Sequence, residues 1–127
     1  MRIARILPLS VIVVLFSLAA QAGDASGKWK AEFDTQVGVQ KYVFDLKVDG
    51  EKLTGTASFE RMGQKGQADL KEGSAKGDDI SFVEILDFQG NEVRITYAGK
   101  VAADEIKFTR KVGDFATEEF TATKAKD

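Results

Sequence analysis

The 127-residue chain contains no histidine and no cysteine. The usual imidazole base and metal ligand are therefore absent, as is a thiol nucleophile, and the groups that stand out by their placement are carboxylates, a basic side chain and a phenol. Four such groups share a phase. Glu84 lies between Phe82 and Leu86, Arg110 between Phe108 and Val112, Tyr97 follows Ile95 by two residues, and Glu118 precedes Phe120 by two. Each thus occupies an apolar position of an alternating segment. Loops at Gly90-Asn91, Ala103-Asp104 and Gly113 to Phe115 set Glu84 opposite Tyr97, Tyr97 opposite Arg110, and Arg110 opposite Glu118, so four polar ends meet at one level of an interior.

Three chemistries fit such a layer. It can be a satisfied buried network, because a buried arginine must be paired. It can be the floor of a small-molecule pocket, with Tyr42 and Phe44 as aromatic walls and the small residues Gly55, Ala57 and Gly99 leaving room. Or Glu84 and Glu118 can act as the two carboxylates of glycoside hydrolysis. Arg110 between them would hold both ionised, which suits pairing better than acid catalysis, so no residue is assigned as catalytic. A β-bulge would turn any one of these groups outward.

The elements that position them read as strands. Period-two alternation runs through residues 26–35, 39–48, 52–61, 65–72, 79–88, 92–101, 105–112 and 117–125, with no sustained helical stripe. Asp49-Gly50 is the strongest hairpin signal; it sets Leu46 against Leu53, Phe44 against Gly55 and Tyr42 against Ala57. Gly50-Glu51-Lys52-Leu53 recurs as Gly77-Asp78-Asp79-Ile80 and as Ala103-Asp104-Glu105-Ile106, at spacings of 27 and 26 residues, about one hairpin each. Eight strands joined by short turns imply an all-β, eight-stranded antiparallel up-and-down barrel, which removes exposed edges. Val83 and Ile85 point outward by the same parity and can join Val43 in a partner surface.

The first 22 residues are of another kind. Arg2 and Arg5 precede an apolar run from Ile6 to Ala20, and Ala20-Gln21-Ala22 has the small-x-small form of a cleavage site. This is a signal peptide, too short for an ordinary membrane span, with cleavage expected after Ala22 and no membrane insertion afterwards. Residues 23–127 are then a single domain, secreted or periplasmic. Without Arg2 and Arg5 the basic count falls from 18 to 16 against 20 acidic residues, a net charge of −4. That balance argues against nucleic acid. No cofactor or metal is expected, and acidic turns such as Gly77-Asp78-Asp79 lack the spacing of a calcium loop.

The only tryptophan opens the first strand in "GDASGKWKAEFD". Gly27-x-Trp29, eight meandering strands and a basic residue in the last one resemble the calycin group of lipocalins, fatty-acid-binding proteins and avidins. The resemblance implies a lipocalin-like barrel in which Trp29 plugs the closed end and Lys124 covers it; a sugar-stacking role is the alternative for Trp29. Lipocalin disulfides, the second lipocalin signature and the biotin-contacting set of avidins are missing. The stretches "SGKWKAEFD", "KVDGEKLTGTA", "GDDISF" and "GNEVRITYAGKV" are similar to small exported bacterial domains, some of them appended to carbohydrate-active enzymes. The resulting expectation is a non-catalytic exported barrel holding a small apolar or amphipathic ligand. The alternatives are an accessory module of carbohydrate-active systems that meets a carbohydrate, a carboxylate-based hydrolase, and a structural or protein-interaction module whose protein partner is unknown.

Overall fold

The computed structural model describes residues 25–125; the signal-peptide expectation lies outside them. Nine strand segments follow one another: β1 (Gly27–Thr35), β2 (Gly38–Asp49), β3 (Lys52–Arg61), β4 (Gln64–Asp69), β5 (Lys71–Lys76), β6 (Asp79–Phe88), β7 (Asn91–Ala102), β8 (Glu105–Val112) and β9 (Ala116–Lys124). All pairings are antiparallel, in the order β2-β1-β9-β8-β7-β6-β5-β3-β4, and β2 pairs β3 to close the ring. The segments β4 and β5 make one stave, so the architecture is the expected closed eight-stranded barrel.

That stave differs from the single strand expected over 65–72. Thr56 pairs Asp69 and Lys52 pairs Ser74, so one extra residue sits on the β4–β5 side. The β5–β6 ladder also shifts between Lys71 and Ser74. Glu72 takes φ +54° there. The neighbouring Gly73 is required because a Cβ would stand 2.0 Å from the Leu53 carbonyl oxygen. This bulge bends the stave and leaves the four polar groups on their expected face.

Two hairpin registers differ from expectation by two residues. Gly50-Glu51 forms the β2–β3 turn, so Val48 pairs Leu53, Leu46 pairs Gly55 and Phe44 pairs Ala57. Gly50 takes the first loop position at φ +66°, and Asp49 stays on the ladder opposite Lys52, a favourable opposite-charge pair. Likewise Gln89-Gly90 forms the β6–β7 turn with both φ positive, the type I′ geometry; Phe82, not Glu84, then pairs Tyr97. The other two turns fall as expected, with Tyr97 opposite Arg110 and Arg110 opposite Glu118.

The interior is filled. Trp29, Phe44, Phe82, Tyr97, Phe108, Ile95 and Ile106 are fully or almost fully buried, and rings pack at centroid distances such as 4.9 Å for Phe82–Tyr97 and 5.5 Å for Phe44–Phe108. The small residues expected to leave room do not. Phe108 and Ile106 cover Gly99, and a Cβ on Gly55 would stand 2.1 Å from the Asp45 carbonyl oxygen. Ala57 is completely buried.

The barrel has two unlike ends. Turns 36–37, 62–63, 89–90 and 113–115 lie at one; turns 50–51, 77–78 and 103–104 lie at the other, with the start of β1 and the end of β9. At the second end the backbone ladder runs all the way round. At the first it is interrupted twice. Pairing of β1 with β9 stops at Lys30↔Thr123, and β6 beyond Val83 has no ladder to β4. Toward the Phe115 turn the barrel is thus two half-sheets, β1–β4 and β6–β9, facing one another.

Candidate functional site

The expected polar layer exists and sits between those half-sheets. β2, β3, β6, β7, β8 and β9 each send at least one member inward by alternation. The Tyr97 hydroxyl donates to Glu84 Oε1 at 2.8 Å, and Arg110 Nε donates to the Tyr97 hydroxyl at 3.0 Å. Arg110 Nη1 pairs with Glu118 Oε1 at 2.5 Å. Tyr42, expected only as a wall, is a full member: its hydroxyl donates to Glu84 at 3.1 Å and lies 3.4 Å from Arg110 Nη2. Arg110 therefore does not bridge both carboxylates directly; Tyr97 links it to Glu84.

Two members went unforeseen. Gln40 Oε1 accepts from Arg110 Nη2 at 3.3 Å. Arg61 Nη1 donates to the Tyr42 hydroxyl at 3.0 Å and lies 3.6 Å from Glu84 Oε2, with its guanidinium 3.7 Å above the Phe59 ring. The signal was available: Gln40 is in phase with Tyr42 and Phe44, and Arg61 with Ala57 and Phe59. Both stand at strand ends, where alternation is easily read as a turn.

The hydrogen bonds from Tyr42 to Glu84 and from Arg110 to Tyr42 and Gln40 cross from one half-sheet to the other, as does the Arg61–Glu84 ion pair. The Phe33–Phe120 stack does the same, with centroids 4.2 Å apart. Side chains thus clamp the end where backbone bonds do not.

Electrostatics follow from depth. Glu84 and Arg110 are 1% and 2% exposed, whereas the Glu118 and Arg61 side chains, at 15% and 17%, reach solvent. Burial, and then the Glu84 charge, raise the Tyr42 pKa; the same causes push Tyr97 well above the ordinary phenol. Burial alone would lower the Arg110 pKa. The adjacent Tyr97 and Tyr42 and the bonds to Tyr97 and Glu118 more than reverse this, so it is raised and the guanidinium stays charged. Both carboxylates are engaged, Glu84 by two phenols and Arg61, Glu118 by Arg110.

Phe44 lies deeper, against Phe82, Tyr97 and Phe108, and touches none of the charges directly. Trp29 is completely buried at the other end, its Nε1 donating to the Ala25 carbonyl at 2.9 Å. Lys124 Nζ stands 4.7 Å from the Trp29 ring and donates to the Ser26 carbonyl at 2.7 Å. Gly27 makes this possible: it takes φ +126°, and a Cβ there would stand 2.7 Å from Lys124 Nζ.

The outer surface differs from the expected Val43–Val83–Ile85 patch. Val83 is only 5% exposed, Val43 and Ile85 are half-buried, and β2 and β6 belong to opposite half-sheets. Among the described residues, the large apolar side chains that are exposed are Val37, Val39, Met62 and Phe115. All four lie on or beside turns at the incompletely laddered end. A depression of about 660 Å³ also marks the outer face of β1 to β4, reaching Thr121 and Thr123 of β9. No family model, no curated protein and no solved structure matches the chain.

Proposed function

We propose that the protein is an exported, non-catalytic binding module that holds a small amphipathic ligand at the Phe115 end of its barrel. The observation that carries this reading is the coincidence of three features at that end: interrupted backbone pairing, exposed apolar turn residues, and a charged layer beneath them. Satisfied buried networks are ordinary, but this one reaches solvent where the main chain is least secured. The deep interior is packed with aromatic rings and is not the ligand's place. Arg61 is the loosest charge in the layer, at 3.6 Å from Glu84 and partly exposed. An anionic head group would compete for it, while the apolar part would lie against Val37, Met62 and Phe115. Locally buried apolar surface contributes about 25 cal/mol per Å², so a short acyl chain or fused ring would suffice for measurable affinity.

The test uses two probes, dodecanoate and 1-anilinonaphthalene-8-sulfonate, titrated against the wild type and Arg61→Gln. Saturable one-to-one binding, weakened roughly tenfold (1.4 kcal/mol) in the variant, is expected. If neither probe binds, or if Arg61→Gln binds both equally well, the site is not a ligand mouth.

A further inference from the structure

A second observation at the same end concerns the main chain itself. Ala125 N donates to Lys28 O at 2.8 Å, and the ladder continues only to Lys30↔Thr123. By antiparallel alternation, the next groups facing across the seam are the amides and carbonyls of Glu32 and Asp34 on β1, and of Thr121 and Glu119 on β9. The strands run on, to Thr35 and back to Ala116, yet their ladder does not. Continued register would set Asp34 directly opposite Glu119, with Glu32 diagonal to it. All three are exposed. Like charges directly opposite oppose pairing, so this pair disfavours extending the ladder toward the Phe115 turn. No proline or bulge blunts either edge, and beneath it the Phe33 and Phe120 rings form an apolar floor.

We propose that this seam is an acceptor for an extended basic peptide, added as a strand between the upper parts of β1 and β9. Its alternate lysines or arginines would face outward against Glu32, Asp34 and Glu119, and its intervening apolar side chains would face Phe33 and Phe120 as those rings part. Strand addition of this kind draws affinity from main-chain bonds and specificity from alternate side chains. A cationic partner cancels that repulsion. The opposite seam lacks this character, since its outward residues include Lys65 on β4 and Asp87 on β6, of opposite sign.

The experiment measures binding of a rhodamine-labelled Lys-Val-Lys-Val-Lys-Val-Lys peptide by fluorescence anisotropy, with amide hydrogen exchange on the complex. The expected result is saturable binding that weakens with salt, together with slowed exchange at Glu32, Asp34, Glu119 and Thr121. The same peptide N-methylated at alternate residues keeps its charge and loses its donors; it should bind at least roughly tenfold more weakly. Glu119→Lys, which places a cation opposite Asp34 and should complete the ladder, is expected to weaken binding by a similar factor, with Trp29 fluorescence reporting an intact fold. Equal binding of the N-methylated peptide, unchanged exchange at the four amides, or no binding by the wild type up to about 1 mM would each overturn the proposal.

Discussion

Replacing Tyr97 by phenylalanine isolates what the polar layer contributes. The substitution keeps the ring, so its packing on Phe82 at 4.9 Å and against Phe44 at 5.5 Å is retained and no cavity opens. Only the hydroxyl is lost, and with it a 2.8 Å bond to Glu84 and a 3.0 Å bond from Arg110. Each joins a neutral group to a buried charge and is worth roughly 1.5–3 kcal/mol. Tyr42 and Arg61 still satisfy Glu84, and Glu118 and Gln40 still satisfy Arg110, so the loss should fall near the lower bound for two such bonds, about 3 kcal/mol. A domain of this length has about 5–15 kcal/mol in total, and the midpoint should fall by about 12 °C or more. Urea unfolding followed by Trp29 fluorescence measures this directly, because Trp29 is the only tryptophan and lies at the far end. A double-mutant cycle with Tyr42→Phe should show coupling, since both hydroxyls serve Glu84. A loss below about 0.5 kcal/mol with an unchanged denaturant slope would mean that the layer does not clamp the half-sheets.

The two tyrosines of the chain are both in this layer, so tyrosinate absorbance near 295 nm reports on it alone. Both folded pKa values lie above the unfolded value of about 10; the stabilisation is therefore complete below pH 10 and lost as pH rises through the folded values. Tyrosinate should appear together with unfolding and not before it, and a free titration at pH 10 in the folded state would contradict this. Lys124→Met should cost about 1 kcal/mol through the Trp29 contact and shift tryptophan emission; unchanged stability would remove the cap. Ala103 holds φ +56° in a turn whose two counterparts have Gly50 and Gly77. Ala103→Gly should stabilise the protein by up to about 1 kcal/mol, measured by thermal melting, and a lower midpoint would show that the turn is not strained.

Much of this architecture was legible in the residues because alternation survives local error. The β2–β3 and β6–β7 registers were each displaced by two residues, which moves neighbours along the strand but keeps every side chain on its face. Glu84 therefore stayed inward although it pairs Ile95 and not Tyr97. The shifted β2–β3 register also removes the expected Phe44–Gly55 pair, while Phe59 lies over Gly66 and Phe108 over Gly99 in other hairpins. What parity could not reveal was where pairing stops. One interruption lies beside the Glu72–Gly73 bulge, and past the other a continued register would set Asp34 against Glu119; seeing either requires the registers of several strands at once. Arg61 and Gln40 were hidden for a related reason. Each stands where a strand meets its turn, and only the closed ring brings them over Glu84 and Arg110.

The two kinds of closure are complementary in physical terms. A ladder bond between neutral groups contributes about 1 kcal/mol net and holds wherever strands run at regular spacing. A buried charge network is costlier to assemble, and replacing it by apolar residues is often neutral or stabilising, so stability alone does not account for four buried or half-buried ionised groups in a barrel this small. On the proposed binding function, directionality does. The Trp29 end is shut by main-chain bonds and an aromatic–lysine contact that do not depend on any other molecule. The Phe115 end is held by Tyr42 and Arg61 reaching across to Glu84, and by Arg110 reaching across to Tyr42 and Gln40, all of them side-chain contacts. On the proposed function, the Phe115 end is therefore the one at which an anionic ligand would compete with side-chain contacts alone, and the Trp29 end is not.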